Sequence, residues 1–162
     1  MDVTSARFFY KDPNAPTPNR PISVGALALI ERGDTLLMER RSDCGRWGLP
    51  GGAVETNEAL EDALRREVRE ETGLVVEEAT LFCIGADPSR IARYPDGNTV
   101  RIISFVFLVK VEDFDGLHRS GESLDLRFFD RDELMSLDVI ETARPIIERY
   151  LRPEPAGSIM ME

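Results

Sequence analysis

The fold of this chain is decided by residues 51–74, which read GGAVETNEALEDALRREVREETGL. Apolar residues recur every four positions in this stretch, at Leu60, Leu64 and Val68. That spacing predicts an amphipathic helix with one buried face. Asn57 is suited to be its N-cap, because its side chain can accept a backbone N–H, and Gly73 is suited to end it.

Three carboxylates border the apolar face of this helix, at Glu67, Glu70 and Glu71. At about 100° per residue, they share one side of the helix. Like charges at this spacing repel, and the carboxyl end of a helix disfavours negative charge. A bound divalent cation would offset both costs, and carboxylate oxygens are suitable ligands for Mg²⁺ or Mn²⁺.

The same segment admits a second interpretation, a solvent-exposed helix held together by ion pairs. Acidic and basic residues stand four apart at Asp62–Arg66, Glu61–Arg65 and Arg66–Glu70. Pairs at this spacing stabilise surface helices, and helices rich in charge are common. Spacing alone therefore leaves the metal site and the charged surface helix equally open.

The segment also fits a family motif. Gly52, five residues, Glu58, seven residues and then REVREETGL at 66–74 match the Nudix box, G-x5-E-x7-R-E-U-x-E-E-x-G-U, in which U is a bulky aliphatic residue. The preceding GRWGLPGG resembles the usual lead-in of this family. Every fixed position of the box is present, so the chain resembles the Nudix hydrolases from about Pro21 to Arg152. The resemblance implies an α/β fold, the Nudix-type α/β/α sandwich with a mixed β-sheet.

The resemblance further implies an activity, hydrolysis of the pyrophosphate bond in a nucleoside diphosphate linked to another group, with Mg²⁺ or Mn²⁺. Metal ions neutralise phosphate charge and lower the pKa of bound water, whose proton a carboxylate then accepts. By position, the implied metal ligands are Glu67, Glu70, Glu71 and the Gly52 carbonyl. Arg66 and Glu58 would be orienting partners rather than ligands.

The catalytic base is a second role that the resemblance implies, and it leaves two sources open. The base is either a box glutamate, Glu70 or Glu71, or a glutamate from a later loop. Glu122, in the sequence SGES at 120–123, is the candidate for the later position. A solvated loop acid is an equally good interpretation of Glu122, and Asp125 is a weaker candidate.

Residues 84–98 form a predicted loop where members of this family often vary for substrate choice. Pro88 lies 15 residues beyond Gly73, close to a placement that the family associates with ADP-ribose hydrolysis. Arg90, Arg93 and Arg101 could bind phosphates, and Tyr94 could stack on a base. The alternative for each is an ordinary surface position, and for the proline an ordinary turn.

Composition limits the other function classes. The chain has 20 Lys+Arg and 30 Asp+Glu, a net charge of −10, which argues against general binding to nucleic acid. A small-molecule nucleotide is the expected partner. The longest apolar runs, 24–30 and 102–109, are too short to span a membrane, and the N-terminus has no secretion-signal pattern. The expected location is therefore the cytoplasm.

The rest of the chain predicts one domain with interleaved strands and helices. A hairpin is expected from 22–30 and 35–40, further strands at 74–84, 99–111 and 126–129, and helices from Asp130 and over 141–151. Loops are expected at 41–52 and 87–98. Residues 1–21 contain four prolines and are expected to be a Pro-rich arm, followed by the Nudix domain at 22–152 and a tail at 153–162.

Three function classes remain. The first is a metal-dependent pyrophosphohydrolase, with ADP-ribose or a nucleotide sugar slightly favoured over nucleoside triphosphates. The second is a non-catalytic Nudix-fold sensor or binding module, although such proteins often have a degraded box. A structural domain ranks last, because it leaves the inward carboxylates unexplained. Two subunits complete one site in some members of this family, so a homodimer stays open.

Overall fold

The structure, a computed structural model, describes residues 4–152 and 160–161 of the chain. The strands of the first half are β1 (Arg7–Phe9), β2 (Ser23–Arg32), β3 (Thr35–Arg41), β4 (Trp47–Gly48) and β5 (Gly51–Ala53). Helix α1 (Leu60–Thr72) follows, and then β6 (Val76–Gly85), β7 (Ile91–Arg93), β8 (Thr99–Val111) and β9 (Ser123–Phe129). The chain continues through α2 (Arg131–Ser136), α3 (Arg144–Leu151) and β10 (Met160–Met161).

A parallel pair, β2 and β8, forms the centre of the sheet, with Ser23 opposite Ile102 at one end and Ile30 opposite Val109 at the other. Antiparallel neighbours flank this pair: β6 and β7 lie on β8, β3 and β5 on β2, and β1 on β7. Parallel strands are covered on both faces, which explains the nearly continuous apolar run in β2.

Successive residues of β2 enter two separate cores. Leu29 packs with the side chains of α2 and α3, whereas Ala28 and Ile30 pack with Leu64 and Val68 of α1. Helices therefore lie on both faces of one mixed sheet, as the alternation of strand side chains requires. The predicted α/β/α sandwich with a mixed β-sheet is confirmed.

Several local predictions are confirmed. The predicted hairpin turns between Arg32 and Thr35, which pair directly. Asp130 and Glu133 form a reciprocal capping box at the start of α2. None of the helices in the described part of the chain has both the length and the apolar character needed to cross a bilayer.

The predicted N-cap at Asn57 is wrong, because α1 begins at Leu60 with Ala59 as its N-cap. Glu58 is the cause, since its carboxylate accepts the Glu55 amide over 2.8 Å and closes a turn before the helix starts. The two predicted loops are also partly wrong. The first contains β4 and β5, and the second contains β7. These short strands form because neighbouring strands supply their hydrogen bonds.

The N-terminal segment is not simply an extended arm. Strand β1 pairs with β7, and both Phe8 and Phe9 are buried. Further along, the Asn19 side chain bonds the backbone of Gly97 and Thr99. The prolines follow this strand rather than preventing it. The predicted tail at 153–162 lies outside the described residues except for β10, which pairs with β6.

Candidate active site

Helix α1 ends at Gly73. This residue has φ +74° and donates its amide to Arg69 O, a left-handed helix end that glycine adopts without strain. On the apolar side, Leu64, Val68 and Thr72 are buried. Two of the predicted carboxylates, Glu67 and Glu71, lie on the border of the buried stripe that faces β5.

Two of the predicted carboxylates contact the glycines of β5. The Gly51 amide donates to Glu71 Oε2 over 2.7 Å. The Glu67 carboxylate lies so close to Gly52 that a Cβ there would stand 2.6 Å from Glu67 Cδ. Gly52 itself pairs with Ala26 of β2. The glycines of the motif therefore let a strand and two acidic side chains approach closely.

Arg66 donates hydrogen bonds to three acidic side chains of the motif. Its guanidinium donates to Glu58 over 2.6 Å, to Glu67 over 2.7 Å and to Glu70 over 3.2 Å, and also to Ala53 O. The paired Arg66 side chain lowers the pKa of Glu58 to about 2. Arg66 occupies the orienting position that the sequence predicts, while Glu67 and Glu70 each keep one oxygen without a hydrogen bond among the described residues.

The ion-pair interpretation of the helix holds only in part. Arg65 pairs with Glu61 on the solvent side, as expected for a surface helix. Glu70 is also largely exposed, with 60% of its side chain accessible. Glu67 and Glu71, in contrast, turn inward to β5. The spacing could not distinguish these carboxylates, because the distinction depends on which strand covers the helix.

Glu39 is a buried acid that sequence reasoning missed. It lies on β3, is 4% exposed, accepts a hydrogen bond from Ser123 Oγ and interacts directly with Glu71. Burial raises the pKa of both acids, and the Glu39 charge raises the pKa of Glu71 further. A usable signal was present, since Glu39 shares a strand face with the buried Leu37, two residues earlier.

A cleft of about 290 Å³ opens over these two acids. Its lining residues are Glu39, Arg41, Ser42, Asp43, Glu71 and Glu122. Glu122 sits on the turn before β9, and its carbonyl accepts the Ser42 amide. The structure therefore places Glu122 in the same cleft as Glu71. Asp125 is not part of this lining. It pairs with Arg40 in the β3–β9 ladder, and its carboxylate accepts the Leu126 amide.

The donor set fits a divalent cation. Within residues 4–152 and 160–161, no three Asp, Glu, His or Cys side chains stand as a ready-made metal cluster. Glu39 and Glu71 nonetheless line one cleft and are adjacent, with their charges partly removed from water. Such a pair requires a shared proton or a cation between its charges. Glu71 shares this cleft with Glu39, whereas Glu67, Glu70 and Gly52 do not line it.

A second cavity lies beside β5, with a volume of about 110 Å³. Tyr94 lines it, as does Arg90, which is 2% exposed and therefore not a surface residue. The Arg90 carbonyl accepts the Ile102 amide of β8, and its guanidinium bonds Thr142 O and Ser104 Oγ. Arg93 does not line the cavity, because it lies in the β1–β7 pair opposite Arg7.

Comparisons with known proteins agree with this architecture. The NUDIX domain model matches residues 19–150. An ADP-ribose pyrophosphatase of Methanocaldococcus jannaschii is 32% identical over 133 residues, covering 80% of this chain and 73% of that protein. A nucleoside triphosphatase NudI of an Enterobacter strain is 36% identical over 107 residues, covering 62% of this chain and 72% of that protein.

Solved structures show the same fold. An ADP-ribose pyrophosphatase of Streptococcus suis superimposes with a TM-score of 0.64 at 21% identity, covering 86% of this chain and 98% of that one. A NUDIX hydrolase of Nitrosomonas europaea superimposes with a TM-score of 0.67 at 23% identity, covering 93% and 84%. With the motif, the fold and the family model in agreement, the chain belongs to the Nudix hydrolase family and is an enzyme of that family.

Proposed function

We propose that this enzyme hydrolyses the pyrophosphate bond of a nucleoside diphosphate linked to another group, with Mg²⁺ or Mn²⁺ as its cofactor. The observation that carries the proposal is the inward turn of Glu67 and Glu71. Both acids leave the solvent side of α1, contact the glycines of β5, and in the case of Glu71 lie against the buried Glu39. In a helix with only a structural role, this concentration of partly buried negative charge would destabilise the fold.

The cation would be held by Glu67, Glu70, Glu71 and the Gly52 carbonyl. When bound, it neutralises phosphate charge and lowers the pKa of a water molecule. The surrounding residues keep the acids in position: Arg66 orients Glu67 and Glu70, Glu58 orients Arg66, and the Gly51 amide orients Glu71. Residues that orient metal ligands in this way matter nearly as much as the ligands themselves.

The proton of the attacking water has two candidate acceptors. Glu122 is supported by its place in the same cleft as Glu71 and Glu39. A box glutamate, Glu70 or Glu71, is supported by its position beside the cation. The two alternatives differ in what a neutral variant does: Glu122→Gln would lower kcat and leave metal affinity unchanged, whereas Glu71→Gln would lower both.

For the substrate, ADP-ribose or a nucleotide sugar is slightly favoured over a nucleoside triphosphate. The position of Pro88 favours the first class, and so does the relative named as an ADP-ribose pyrophosphatase. The relative named as a nucleoside triphosphatase favours the second. A small-molecule nucleotide is the common element, and the acidic net charge of −10 is consistent with it rather than with a polymer.

The test is a panel of ADP-ribose, nucleotide sugars, dinucleoside polyphosphates and nucleoside triphosphates. Each is incubated with Mg²⁺, with Mn²⁺ and with chelator, and the products are separated by chromatography. The proposal expects cleavage of one class that chelator and Glu71→Gln both abolish. Glu61→Gln is the matched control, since Glu61 lies on the solvent side of the same helix. A folded protein that raises its melting temperature with a nucleotide but cleaves none would favour the sensor instead.

A further inference from the structure

Strand β9, which follows the SGES sequence at 120–123, begins with a β-bulge. The register of β3 with β9 shifts by one residue between Arg40 and Arg41, so that Arg41 stands opposite Ser123. Regular pairing would place Leu124 there, but Leu124 is the extra residue and is 49% exposed. Glu39 lies two residues before Arg41 on β3 and therefore shares its face. The bulge thus turns Ser123, rather than Leu124, to the face of Glu39.

A chain of two serine hydroxyls joins Glu122 to the buried Glu39. Ser123, which is 1% exposed, donates its hydroxyl to Glu39 Oε1. Ser120 Oγ lies 3.2 Å from Ser123 Oγ and accepts the Glu122 amide over 3.2 Å. Because the Ser123 hydrogen points to Glu39, the Ser120 hydroxyl is the donor between the two serines. Hydrogen bonds therefore run without a break from the backbone of Glu122 to an acid in the wall of the cleft.

Backbone contacts attach the same segment to both elements that carry acids. Near its start, the His118 amide donates to Thr72 O at the carboxyl end of α1, over 2.9 Å. Near its end, Glu122 O accepts the Ser42 amide over 3.2 Å, just beyond β3. The hydroxyl of Ser123 is the contact that reaches the buried side of β3. The turn at 119–123 is therefore fixed between α1 and β3.

We propose that Ser123 is a positioning residue for the hydrolysis: by binding Glu39, its hydroxyl holds the turn at 119–123 on β3 and keeps the Glu122 carboxylate over the cleft. This inference rests on the proposed function, and within it on Glu122 as the acceptor of the water proton. Ser123 itself does not line the cleft, so it acts through Glu122. Displacement of a proton acceptor slows the chemical step, because proton transfer requires hydrogen-bond distance.

A buried acceptor suits this purpose better than an exposed one. Glu39 is 4% exposed, so water does not compete for its oxygen as it would at the surface. Glu122 is exposed, and its turn would otherwise be held only by contacts at the surface. Side chains that take part in catalysis need this kind of support from neighbours that are themselves fixed.

The test is a double-mutant cycle on Ser123 and Glu122, assayed in Mg²⁺ with ADP-ribose or with the member of the nucleotide panel that is cleaved in its place. Ser123→Ala is expected to lower kcat by about tenfold and to leave KM nearly unchanged. In the Glu122→Gln background, the same substitution is expected to lower kcat by less than about twofold, because the carboxylate that it positions is absent. A smaller folded fraction would lower kcat equally in both backgrounds, so the cycle separates positioning from stability.

Ser136→Ala is the matched control. The Ser136 hydroxyl also bonds a nearby carbonyl, Glu133 O, over 3.3 Å, but it lies on α2 and does not line the cleft. Ser136→Ala is expected to keep kcat in both backgrounds. An unchanged kcat in Ser123→Ala, or the same fall in both backgrounds, would overturn the inference and leave the proposed hydrolysis intact.

Amide hydrogen exchange, followed by NMR in chelator, tests the attachment of the turn without turnover. The Ser42 amide donates to Glu122 O, so its exchange rate reports whether the turn stays on β3. In Ser123→Ala this rate is expected to rise by about tenfold or more. The rate at Arg41, whose amide donates to Arg46 O, should stay the same. An unchanged rate at Ser42 would overturn the inference. If the rate rises but no nucleotide is cleaved, the proposed function fails and the attachment of the turn by Ser123 stands.

Discussion

The carboxylate of Glu67 occupies the space that a side chain at position 52 would fill, with Glu67 Cδ only 2.6 Å from where a Gly52 Cβ would lie. The requirement for glycine at this position therefore comes from the acid and not from the backbone. The neighbouring Gly51 differs, since it has φ +139° and its Cβ would stand 2.2 Å from Ala26 O. These adjacent glycines serve separate purposes, which two substitutions can distinguish.

Gly52→Ala is expected to reduce activity without much loss of stability. Only the far end of a flexible side chain has to move, so the free energy of unfolding should change by about 1 kcal/mol or less. The displaced Glu67 carboxylate would weaken Mn²⁺ binding, measured by titration calorimetry, and lower kcat. Normal metal affinity in a well-folded Gly52→Ala protein would contradict the assigned role of Glu67.

Gly51→Ala is expected to destabilise the fold itself. The new Cβ meets the backbone of β2, which cannot move away, and the positive φ adds strain, so a loss of about 3 kcal/mol or more is expected. Thermal unfolding in chelator measures this without interference from metal binding. If Gly51→Ala melted at the same temperature as Gly52→Ala, β5 could not approach β2 as closely at Gly51 as described.

Stability without metal should fall as the pH rises. Burial, together with the adjacent acid in the case of Glu71, holds the pKa of Glu39 and Glu71 above the ordinary value of 4.5. The folded protein therefore keeps protons that the unfolded chain releases, and stability present below about pH 4.5 is lost as the pH rises through the folded-state pKa.

Glu71→Gln removes this effect, so in chelator its melting temperature should exceed that of the wild type at pH 8, by about 2–8 °C. The difference should shrink at pH 5, where the wild-type carboxyl retains its proton. Glu61→Gln, on the solvent side, should show no such pH dependence. If Glu71→Gln instead had a lower melting temperature than the wild type at pH 8, the interpretation of Glu39 and Glu71 as a buried acid pair would be excluded.

Arg66→Gln tests the orienting role. Loss of the guanidinium frees Glu58, Glu67 and Glu70, so we expect kcat to fall by roughly 10–100-fold. The melting temperature should change little, because the pairs are partly solvent-exposed. Arg65→Gln on the same helix, which pairs with Glu61 and Val76 O, is the control and should keep its kcat.

Phe9→Ala tests whether the N-terminal segment is part of the fold. Phe9 is 6% exposed on β1, so truncation should cost about 3 kcal/mol or more of unfolding free energy. Ile22→Ala, at a residue that is 50% exposed, should cost far less. Denaturant unfolding measures both. Equal and small losses would restore the expectation of a loose arm.

The sequence by itself determined the elements whose signals are local. The apolar spacing predicted helix α1, and Gly73 predicted where it ends. Two residues three positions apart, Asp130 and Glu133, predicted the capping box of α2. The Nudix box identified the family, because all its fixed positions lie within one continuous segment. Such features depend on neighbours a few residues away, so no knowledge of distant contacts is needed.

Only the tertiary structure decided which polar groups are buried together. Glu39 meets Glu71 and Ser123 from distant parts of the chain, and Arg90 bonds Ser104 and Thr142, which lie far from it in sequence. Strands β1 and β7 exist because each supplies hydrogen bonds to the other. Burial and strand pairing are set by contacts far apart in sequence, so a single residue's type does not reveal them. For this reason the sequence indicated the box carboxylates, whereas the acidic cleft and the cavity beside β5 required the fold.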